Sequence, residues 1–450
     1  MSLRAVHELS TIVEVARSAA RRSTVCHLGE STHMRRHVSA LAVVLASVLA
    51  LGLLAGSPAQ AVKGPPRERS GNAAYSWWTS PTFGRTASSF YFTGVNSQGY
   101  QRIYRWSRNS KRKLVMTYTN LRKGTVDDHN APALSMASGK PSLVFYTDHP
   151  GTMYYRRAAA GKDPRLSKTS SSFGQARPMP FDLRTTYAQV LRDGDRVVVL
   201  ARYLEAGKSG WYYVRSSDSG ATWSEPSELF DSESHQAYLL MRATESDASE
   251  LHVMAYWHPK YGPDNVVGYR RLTFEQLWSG AAERFTVSGM QRVWASTPDG
   301  PANQQVRLLD GGDKRGRPMV FLATWDATNP VPVYRQVVGA QDGTWSSSII
   351  RSAGGTYGAG NGNYVPGVTL DPRPGANRVF LGYRDGSRWR LAVSDLGPDG
   401  RASQAPRALV SSTRPLARPV VNGKDLMYQR LDKYLTFKNF QISVHTLQLR

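Results

Sequence analysis

The octapeptide Ser216-Ser217-Asp218-Ser219-Gly220-Ala221-Thr222-Trp223 is the most informative turn in this chain. It matches the Asp-box pattern Ser-x-Asp-x-Gly-x-Thr-Trp. In that pattern the Asp side chain caps a tight turn, the Gly lets the backbone reverse and the Trp packs into the adjoining sheet. Weaker copies occur at Asp342–Trp345 and Asp385–Trp389. Asp-box turns lie far from catalytic residues, so this turn predicts the fold and says nothing about activity.

Short β-prone runs surround this turn and recur along the chain, separated by Gly, Asp, Asn and Pro. Many are followed by a second run that ends in Tyr-Arg or Trp, such as Met153–Arg156. Only Thr273–Gly280 has the character of a short helix. The repeating units begin near residues 73, 129, 186, 235, 304, 360 and 412. Seven units of about fifty residues predict an all-β, seven-bladed β-propeller of four-stranded antiparallel blades. An array of β-sandwiches is the alternative, but it does not account for the repeated Gly-Tyr-Arg endings.

The N-terminal segment is typical of an exported protein. Residues 34–61 combine basic residues, an apolar stretch and the small-residue site Ala59-Gln60-Ala61, as a secretory signal does. Residues 1–33 are predicted to be a non-native extension, 62–72 a flexible lead-in, and 73–450 the catalytic propeller. We therefore expect a secreted, extracellular protein that has no membrane association once the signal is cleaved.

The amino-acid composition limits which reactions and which binding partners are expected of the protein. The only cysteine, Cys26, precedes the expected cleavage site, so the mature chain would have no thiol and no disulfide. Cleavage would leave 51 Lys and Arg against 31 Asp and Glu, a formal charge of +20 compared with +23 for the full chain. This excess predicts attraction to a polyanion. No nucleic-acid motif is evident, so an anionic polysaccharide is the expected partner, and the protein is expected to be a monomer.

Two histidines stand at the ends of neighbouring predicted strands. The sequence Asp127-Asp128-His129-Asn130 opens the second unit, and Thr147-Asp148-His149-Pro150 ends the strand that follows. Tyr187 opens the third unit as His129 opens the second, and Arg202 ends the following strand as His149 does. Tyr238, Tyr256 and His258 continue the pattern in the fourth unit. Equivalent positions of consecutive blades face one end of a propeller, so these side chains are predicted to share a groove.

These residue types suit β-elimination from a uronic acid. The proton at C5 is too weakly acidic to leave unless a cation neutralises the adjacent carboxylate. A His or Tyr must then remove that proton, and another must protonate the leaving glycosidic oxygen. No cofactor or metal is required for this reaction. A structural Ca²⁺ or Zn²⁺ ion, common in propellers, is left open, because no ligand cluster stands out. Trp77 and Trp78 are predicted to belong to the core rather than to a sugar-binding surface.

The ordered series from Val126 to Arg156 and from Thr186 to Trp223 resembles the neuraminidase-repeat (BNR) proteins, which include ulvan lyases of the seven-bladed propeller type. The resemblance implies that His129 and Tyr187 are the acid/base pair. It also implies that Arg202 neutralises the uronate carboxylate and that His149 lines the same site. Asn130, Tyr238, Tyr256 and His258 are expected to contact substrate. One departure is Ala188, where the family pattern has Pro.

The resemblance predicts a polysaccharide lyase that acts on an ulvan-like polymer. Two alternatives remain. One is a glycoside hydrolase: a sialidase-like enzyme would need an arginine triad and a Tyr/Glu nucleophile pair, and a hydrolase of rhamnose–glucuronate linkages would need two facing carboxylates. Asp127, Asp128 and Asp148 are available, but their place in turns favours orienting or capping roles. The other alternative is a propeller that binds carbohydrate without catalysis.

Overall fold

The computed structural model describes residues 62–450, apart from residues 110, 112, 160–162, 169–171, 206–207, 234–235, 245–246, 248, 259–264, 296–304, 326–330, 358–363 and 404. The predicted extension 1–33 and signal 34–61 lie outside the described residues. The described chain forms seven antiparallel sheets, one for each predicted unit, and confirms the seven-bladed β-propeller. The observed inner strands begin within about ten residues of the predicted unit starts.

The strands are numbered in chain order, and the strands of each blade are given from the inner to the outer edge. Blades 1 to 3 contain β2 (Phe83–Arg85), β3 (Ser89–Val95), β4 (Tyr100–Arg108) and β5 (Leu114–Lys123); β6 (Ala133–Ala137), β7 (Lys140–Tyr146), β8 (Tyr154–Arg157) and β9 (Arg177–Pro178); and β10 (Thr185–Asp193), β11 (Arg196–Glu205), β12 (Lys208–Ser216) and β13 (Ser227–Asp231). Blades 4 and 5 contain β14 (Gln236–Ala243), β15 (Glu250–His258), β16 (Val266–Thr273) and β18 (Gln291–Ala295); and β19 (Gln305–Lys314), β20 (Arg317–Trp325), β21 (Val333–Gly339) and β22 (Trp345–Ser352). Blades 6 and 7 contain β23 (Val368–Leu370), β24 (Arg378–Asp385), β25 (Arg388–Asp395) and β26 (Arg407–Ser412); and β27 (Leu416–Asn422), β28 (Asp425–Thr436), β29 (Asn439–Leu449) and β1 (Val62–Ser70). A short strand, β17 (Phe285–Thr286), adds to the outer edge of blade 3 in parallel with β13.

Strand β1 replaces the expected flexible lead-in and closes the ring. It pairs antiparallel with β29, from Val62 opposite Leu449 to Ser70 opposite Val444. Its two prolines lie in the register shift between Lys63 and Arg67. An edge strand tolerates prolines because one side of its backbone needs no partner. The composition that suggested flexibility is therefore also compatible with an edge strand.

The turn at Ser216–Trp223 has the hydrogen bonds that its sequence predicts. The Asp218 carboxylate accepts from the backbone nitrogens of Ala221 and Thr222 at 2.8 and 2.9 Å, and from the Thr222 hydroxyl at 2.7 Å. Ser219 and Gly220 have positive φ angles of 55° and 83°, as the reversal requires. The Trp223 ring packs edge-on against Tyr155, with centroids 5.6 Å apart. This contact fixes blade 3 against blade 2.

The predicted helix is present as α1 (Phe274–Ser279), which follows β16. Thr273 caps it in a reciprocal hydrogen-bonding pair with Gln276, and Gly280 ends it with a φ angle of 81°. In the part of the chain that the structure describes, the helices are too short or too polar to span a membrane. Apolar side chains such as Val198, Leu239 and Leu308 form one buried cluster that packs blades 3, 4 and 5 against one another.

Candidate active site

A single 3₁₀ turn, Asp128–Asn130, carries His129 into the centre of the ring. Asp127 caps the turn by accepting a hydrogen bond from the backbone nitrogen of His129 at 2.8 Å. The side chain of Asp128 is fully buried: its Oδ1 lies 3.4 Å from His129 Nδ1, and its Oδ2 accepts from Arg418 at 2.6 Å and from the Tyr434 hydroxyl at 2.8 Å. The turn is thus anchored to blade 7, and the position of His129 is fixed.

Asp127 also sets the protonation pattern of the His129 ring. Its Oδ1 lies 2.6 Å from His129 Nδ1. Burial raises the pKa of Asp127, but hydrogen bonds from His129 and the charges of His129 and His149 outweigh burial and lower this pKa overall. An ionised Asp127 can only accept, so it holds a proton on Nδ1 and leaves His129 Nε2 as an acceptor. The Tyr364 hydroxyl lies 3.5 Å from that Nε2.

His149 stacks on His129, with ring centroids 4.9 Å apart. Its Nδ1 lies 3.7 Å from the other oxygen of Asp127, and its buried Nε2 has no hydrogen-bond partner among the described residues. Burial, together with the charges of His129 and Arg202, lowers the pKa of His149 to about 4. The ring is therefore neutral near pH 7 and can exchange hydrogen bonds with a ligand.

Tyr187 reaches the same place through a bulge. The pairing of β10 with β11 shifts register between Thr186 and Ala188, and Tyr187 has a φ angle of 55°, which is strained for an aromatic residue. Its ring centroid lies 6.0 Å from that of His129 and 5.2 Å from that of His149. Burial raises the pKa of Tyr187 well above its ordinary value, so the phenol is protonated at neutral pH. Ala188 pairs with Ala201. Although the family pattern has Pro at position 188, Tyr187 still lies at the site.

Arg202 lies behind the tyrosines rather than on the cavity wall. Its side chain is only 2% exposed, and its guanidinium sits 4.0 Å from the centre of the Tyr238 ring and 5.9 Å from that of Tyr187. Contact of Arg202 with substrate stays a prediction, but its guanidinium is not part of the cavity wall. The reason is that Tyr187 and Tyr238 cover the guanidinium.

Arg307, which the sequence analysis missed, is a cation that does line the cavity. It comes from β19 of blade 5, and its Nη1 donates to the Tyr256 hydroxyl at 2.8 Å. Tyr256 is buried and stacks on Tyr238 with ring centroids 5.1 Å apart, so it supports the cavity wall without lining it. The repeat pattern in the sequence was followed only through the fourth unit. Extending it to Val306–Leu309 would have identified Arg307.

The cavity has a volume of about 200 Å³ and receives side chains from all seven blades. Besides the predicted His129, His149, Tyr187 and Tyr238, its wall includes side chains that the sequence analysis had not assigned to a site: Trp77, Trp78, Arg307, Tyr364 and Phe437. Trp78 also belongs to the core, as predicted, and its ring packs 4.8 Å from that of Tyr238. Because inner strands and their entry loops meet only at the ring centre, the cavity lies on the propeller axis.

Besides Arg202 and Tyr256, two further predicted contact residues are not placed on the cavity wall. Asn130 is buried, and its amide nitrogen donates to the backbone and side-chain oxygens of Thr125, both at 3.1 Å. It stabilises the turn that presents His129. His258 is the last residue of β15, where its backbone pairs with Gln236, and its side chain lies outside the described part of the structure.

Asp127, His129 and His149 could also hold a divalent metal ion, because one donor atom from each lies within 4.8 Å of the others. Nitrogen and carboxylate donors in this combination suit Zn²⁺. An ion bound there would replace the hydrogen bond between His129 and Asp127 described above.

Comparisons with known proteins agree with this architecture. The model of the BNR repeat-containing family matches residues 87–352. A solved PL25 ulvan lyase bound to -[GlcA(1-4)Rha3S]- superposes with a TM-score of 0.60 at 10% identity, covering 85% of this chain and 94% of that chain. A second PL25 ulvan lyase structure gives a TM-score of 0.59 at 11% identity, covering 86% and 95% of the two chains. At such identities the likeness shows the fold alone. Comparison with curated protein sequences gives no match.

Proposed function

The chain belongs to the BNR repeat-containing family, and on that premise we propose that it is a secreted polysaccharide lyase. It cleaves a uronic-acid-containing, ulvan-like polysaccharide by β-elimination. The observation that carries the proposal is the convergence of His129, His149 and Tyr187 on one axial cavity, beside a cation, Arg307. At neutral pH Tyr187 is protonated and His149 is neutral, as these roles require.

The proton transfers follow from these states. His129 Nε2, left as an acceptor by the Asp127 contact, removes the proton from C5 of the uronate. The electrons of that C–H bond form the C4–C5 double bond, and the bond from C4 to the glycosidic oxygen breaks. The protonated Tyr187 phenol gives its proton to that oxygen. Arg202, 5.9 Å from the ring centre, favours the phenolate that remains, which solvent then reprotonates while the protonated His129 releases its proton to solvent.

Arg307 takes the role expected of Arg202 in neutralising the substrate carboxylate. A guanidinium is always charged and presents paired donors that match a carboxylate. One nitrogen of Arg307 is engaged by Tyr256, which orients the group. Neutral His149, which lines the same cavity and whose Nε2 has no hydrogen-bond partner among the described residues, adds a hydrogen bond to the carboxyl group. Together they stabilise the negative charge that develops beside C5.

The local carboxylates favour a lyase over a hydrolase. Asp127 binds the two histidines, Asp128 binds Arg418 and Tyr434, and Asp148 lies 2.9 Å from Arg122. A hydrolase needs one carboxyl group as acid and a second as nucleophile or base, both facing the sugar. The three carboxylates nearest the cavity are instead committed to neighbouring side chains.

The test uses the mature chain with ulvan and other glucuronate polymers. A lyase produces unsaturated uronate ends, seen as a rise in ultraviolet absorbance. His129→Ala should lower kcat by about 10²- to 10⁴-fold, the usual contribution of a general base, while polymer binding is largely kept. Reducing sugar released without absorbance would indicate a hydrolase. Binding of the polymers without either product would indicate a carbohydrate-binding propeller.

A further inference from the structure

A second groove, remote from the axial cavity, gathers five arginines. It lies between the outer strand of blade 7 and blade 1 and has a volume of about 420 Å³. We call it the arginine groove, and its defining residues are Arg67, Arg69, Arg85, Arg105, Arg108 and Trp106. No reaction step described above uses any of them.

Arg69 is the buried centre of the arginine groove. It is only 4% exposed, and its Nε donates to the Thr446 hydroxyl at 2.8 Å. Burial and the nearby charges of Arg85 and Arg67 lower the pKa of Arg69 to about 10, despite the opposing effect of Asp425. A cation that is both desolvated and next to like charges gains free energy when an anion approaches.

The ion pairs of the described residues neutralise only part of the positive charge of the groove. Arg85 forms a two-pronged pair with the buried Asp425, at 2.5 and 2.7 Å. In the described part of the chain, no ion pair is found for Arg67, Arg69 or Arg105. Arg105 donates its Nε to the neutral hydroxyl of Ser89 at 3.1 Å. Guanidinium donors in such an array match sulfate and carboxylate oxygens.

Guanidinium groups already lie against the aromatic rings of the groove. The Arg69 and Arg85 carbons lie 4.9 and 5.3 Å from the centre of the Phe90 ring, and Arg69 also lies 5.7 Å from the Trp106 ring centre. These rings stabilise the cations and are not free to stack on a base. Anionic groups rather than flat rings are therefore what the groove can recognise, which disfavours single-stranded nucleic acid.

The groove and the axial cavity lie at opposite ends of the blade 1 strands. Arg105 and Arg108 lie towards the end of β4, next to the start of β5, whereas the chain reaches His129 only after β5 has ended. A ten-residue strand such as β5 spans roughly 30 Å. One or two sugar units cannot touch both places, but a polymer can.

We propose that the arginine groove is a second binding site for a sulfated, uronate-containing polysaccharide, which holds the polymer while the axial cavity cleaves it. The inference rests on the proposed function for the identity of the ligand. Binding in the groove requires only that the polymer carry closely spaced sulfate or carboxylate groups.

The experiment compares two double variants that each remove two positive charges. Arg67→Ser/Arg105→Ser changes the groove, and Arg388→Ser/Arg414→Ser removes two exposed arginines elsewhere. Each is made with and without His129→Ala, so that binding can be measured without cleavage. Affinity electrophoresis in gels containing ulvan or chemically desulfated ulvan gives the dissociation constants. Unfolding curves confirm that each variant is folded, and Arg67→Glu, at an exposed position, replaces the double variant if it is not.

We expect the groove variant to bind ulvan about tenfold more weakly, as loss of charge-assisted contacts predicts. The control pair should bind as before, and turnover of a tetrasaccharide should be unchanged. Equal weakening by both pairs, or none by the groove pair, overturns the proposal. So does tighter binding of oligo(dT) than of ulvan at the groove. An absence of lyase activity with groove-dependent binding refutes only the proposed function. Normal turnover with unaltered binding in the groove variant refutes only this inference.

Discussion

Asp127 organises the candidate active site through three contacts. One carboxylate oxygen caps the turn of His129 and binds its ring, and the other faces His149. A single anion thereby fixes two imidazoles, one ready to accept a proton and one neutral. The adjacent carboxylate of Asp128 lies 3.4 Å from the same Nδ1 through one oxygen, and its other oxygen binds Arg418 and Tyr434. Asp127 therefore contacts both histidines, whereas Asp128 joins His129 to the core.

His149 should make the protein sensitive to acid. Its pKa is about 4 in the folded state and near 6.5 when unfolded, so the unfolded chain binds more protons between these values. Stability is therefore lost as the pH falls through this window, by about 2 kcal/mol between pH 7 and pH 5. Urea unfolding of wild type and His149→Gln at both pH values checks this. The variant should lose correspondingly less stability, and equal losses in both proteins would contradict the prediction.

Arg202 and Arg307 should affect catalysis in different ways. Arg307→Lys keeps the charge but loses the paired donors that hold the substrate carboxylate, so KM should rise and kcat/KM should fall about tenfold. Arg202→Lys should lower kcat with little change in KM, because Arg202 acts on the Tyr187 phenol behind the wall. Steady-state kinetics on ulvan separate the two. A rise in KM confined to Arg202→Lys would restore the carboxylate-binding role that the sequence suggested for it.

Irregular backbone segments, rather than regularly paired strands, direct the functional side chains into the cavity. The bulge at Tyr187 turns its ring into the cavity, and the 3₁₀ turn does the same for His129. A regular strand would alternate its side chains between the two faces of the blade and direct neither of them along the axis. The strain of a positive φ angle at Tyr187 is tolerated because the surrounding sheet holds it.

The turns of the blades should contribute stability without contributing activity. Asp218→Ala removes an acceptor of hydrogen bonds from Ala221, Thr222 and Ser216, and should cost about 1–2 kcal/mol. Asp342→Ala is a matched control, because among the described residues Asp342 accepts side-chain hydrogen bonds only from Thr344, and it should cost clearly less than Asp218→Ala. Urea unfolding gives both values. A larger loss for Asp342→Ala, or reduced turnover of folded Asp218→Ala, would contradict this account.

The propeller closes by pairing its two ends. Strand β1 completes blade 7 beside β29, so the first and last described strands share a sheet. The Trp106 indole also donates to the backbone oxygen of Arg69 at 2.6 Å, which joins blade 1 to the closing strand. Every side chain on the axis depends on this closure, because the cavity wall draws on all the blades.

Removal of β1 should therefore weaken the entire ring. A chain that begins at residue 72 leaves the outer edge of β29 unpaired, and its Tm should fall by at least about 5 °C relative to a chain that begins at residue 61. Thermal unfolding followed by circular dichroism makes the comparison. An unchanged Tm would show that residues 62–70 are dispensable and that blade 7 is stable with three strands.

The sequence by itself determined the repeat and its turns. Asp218 and Gly220 encode a turn through local hydrogen bonding and backbone freedom, and spacing of the β-prone runs fixed the number of blades. Position within the repeat also predicted that His129, His149, Tyr187 and Tyr238 share a cavity. These are local or periodic properties, so they can be read without coordinates.

Only the tertiary structure decided which cation lines the cavity. Arg202 and Arg307 both follow the strand pattern, but the rings of Tyr187 and Tyr238 cover one and leave the other on the wall. Tyr364 and Phe437 join His129 from more than 200 residues away. Closing the ring sets these distances, because burial and contact between distant blades depend on the positions of all seven sheets at once.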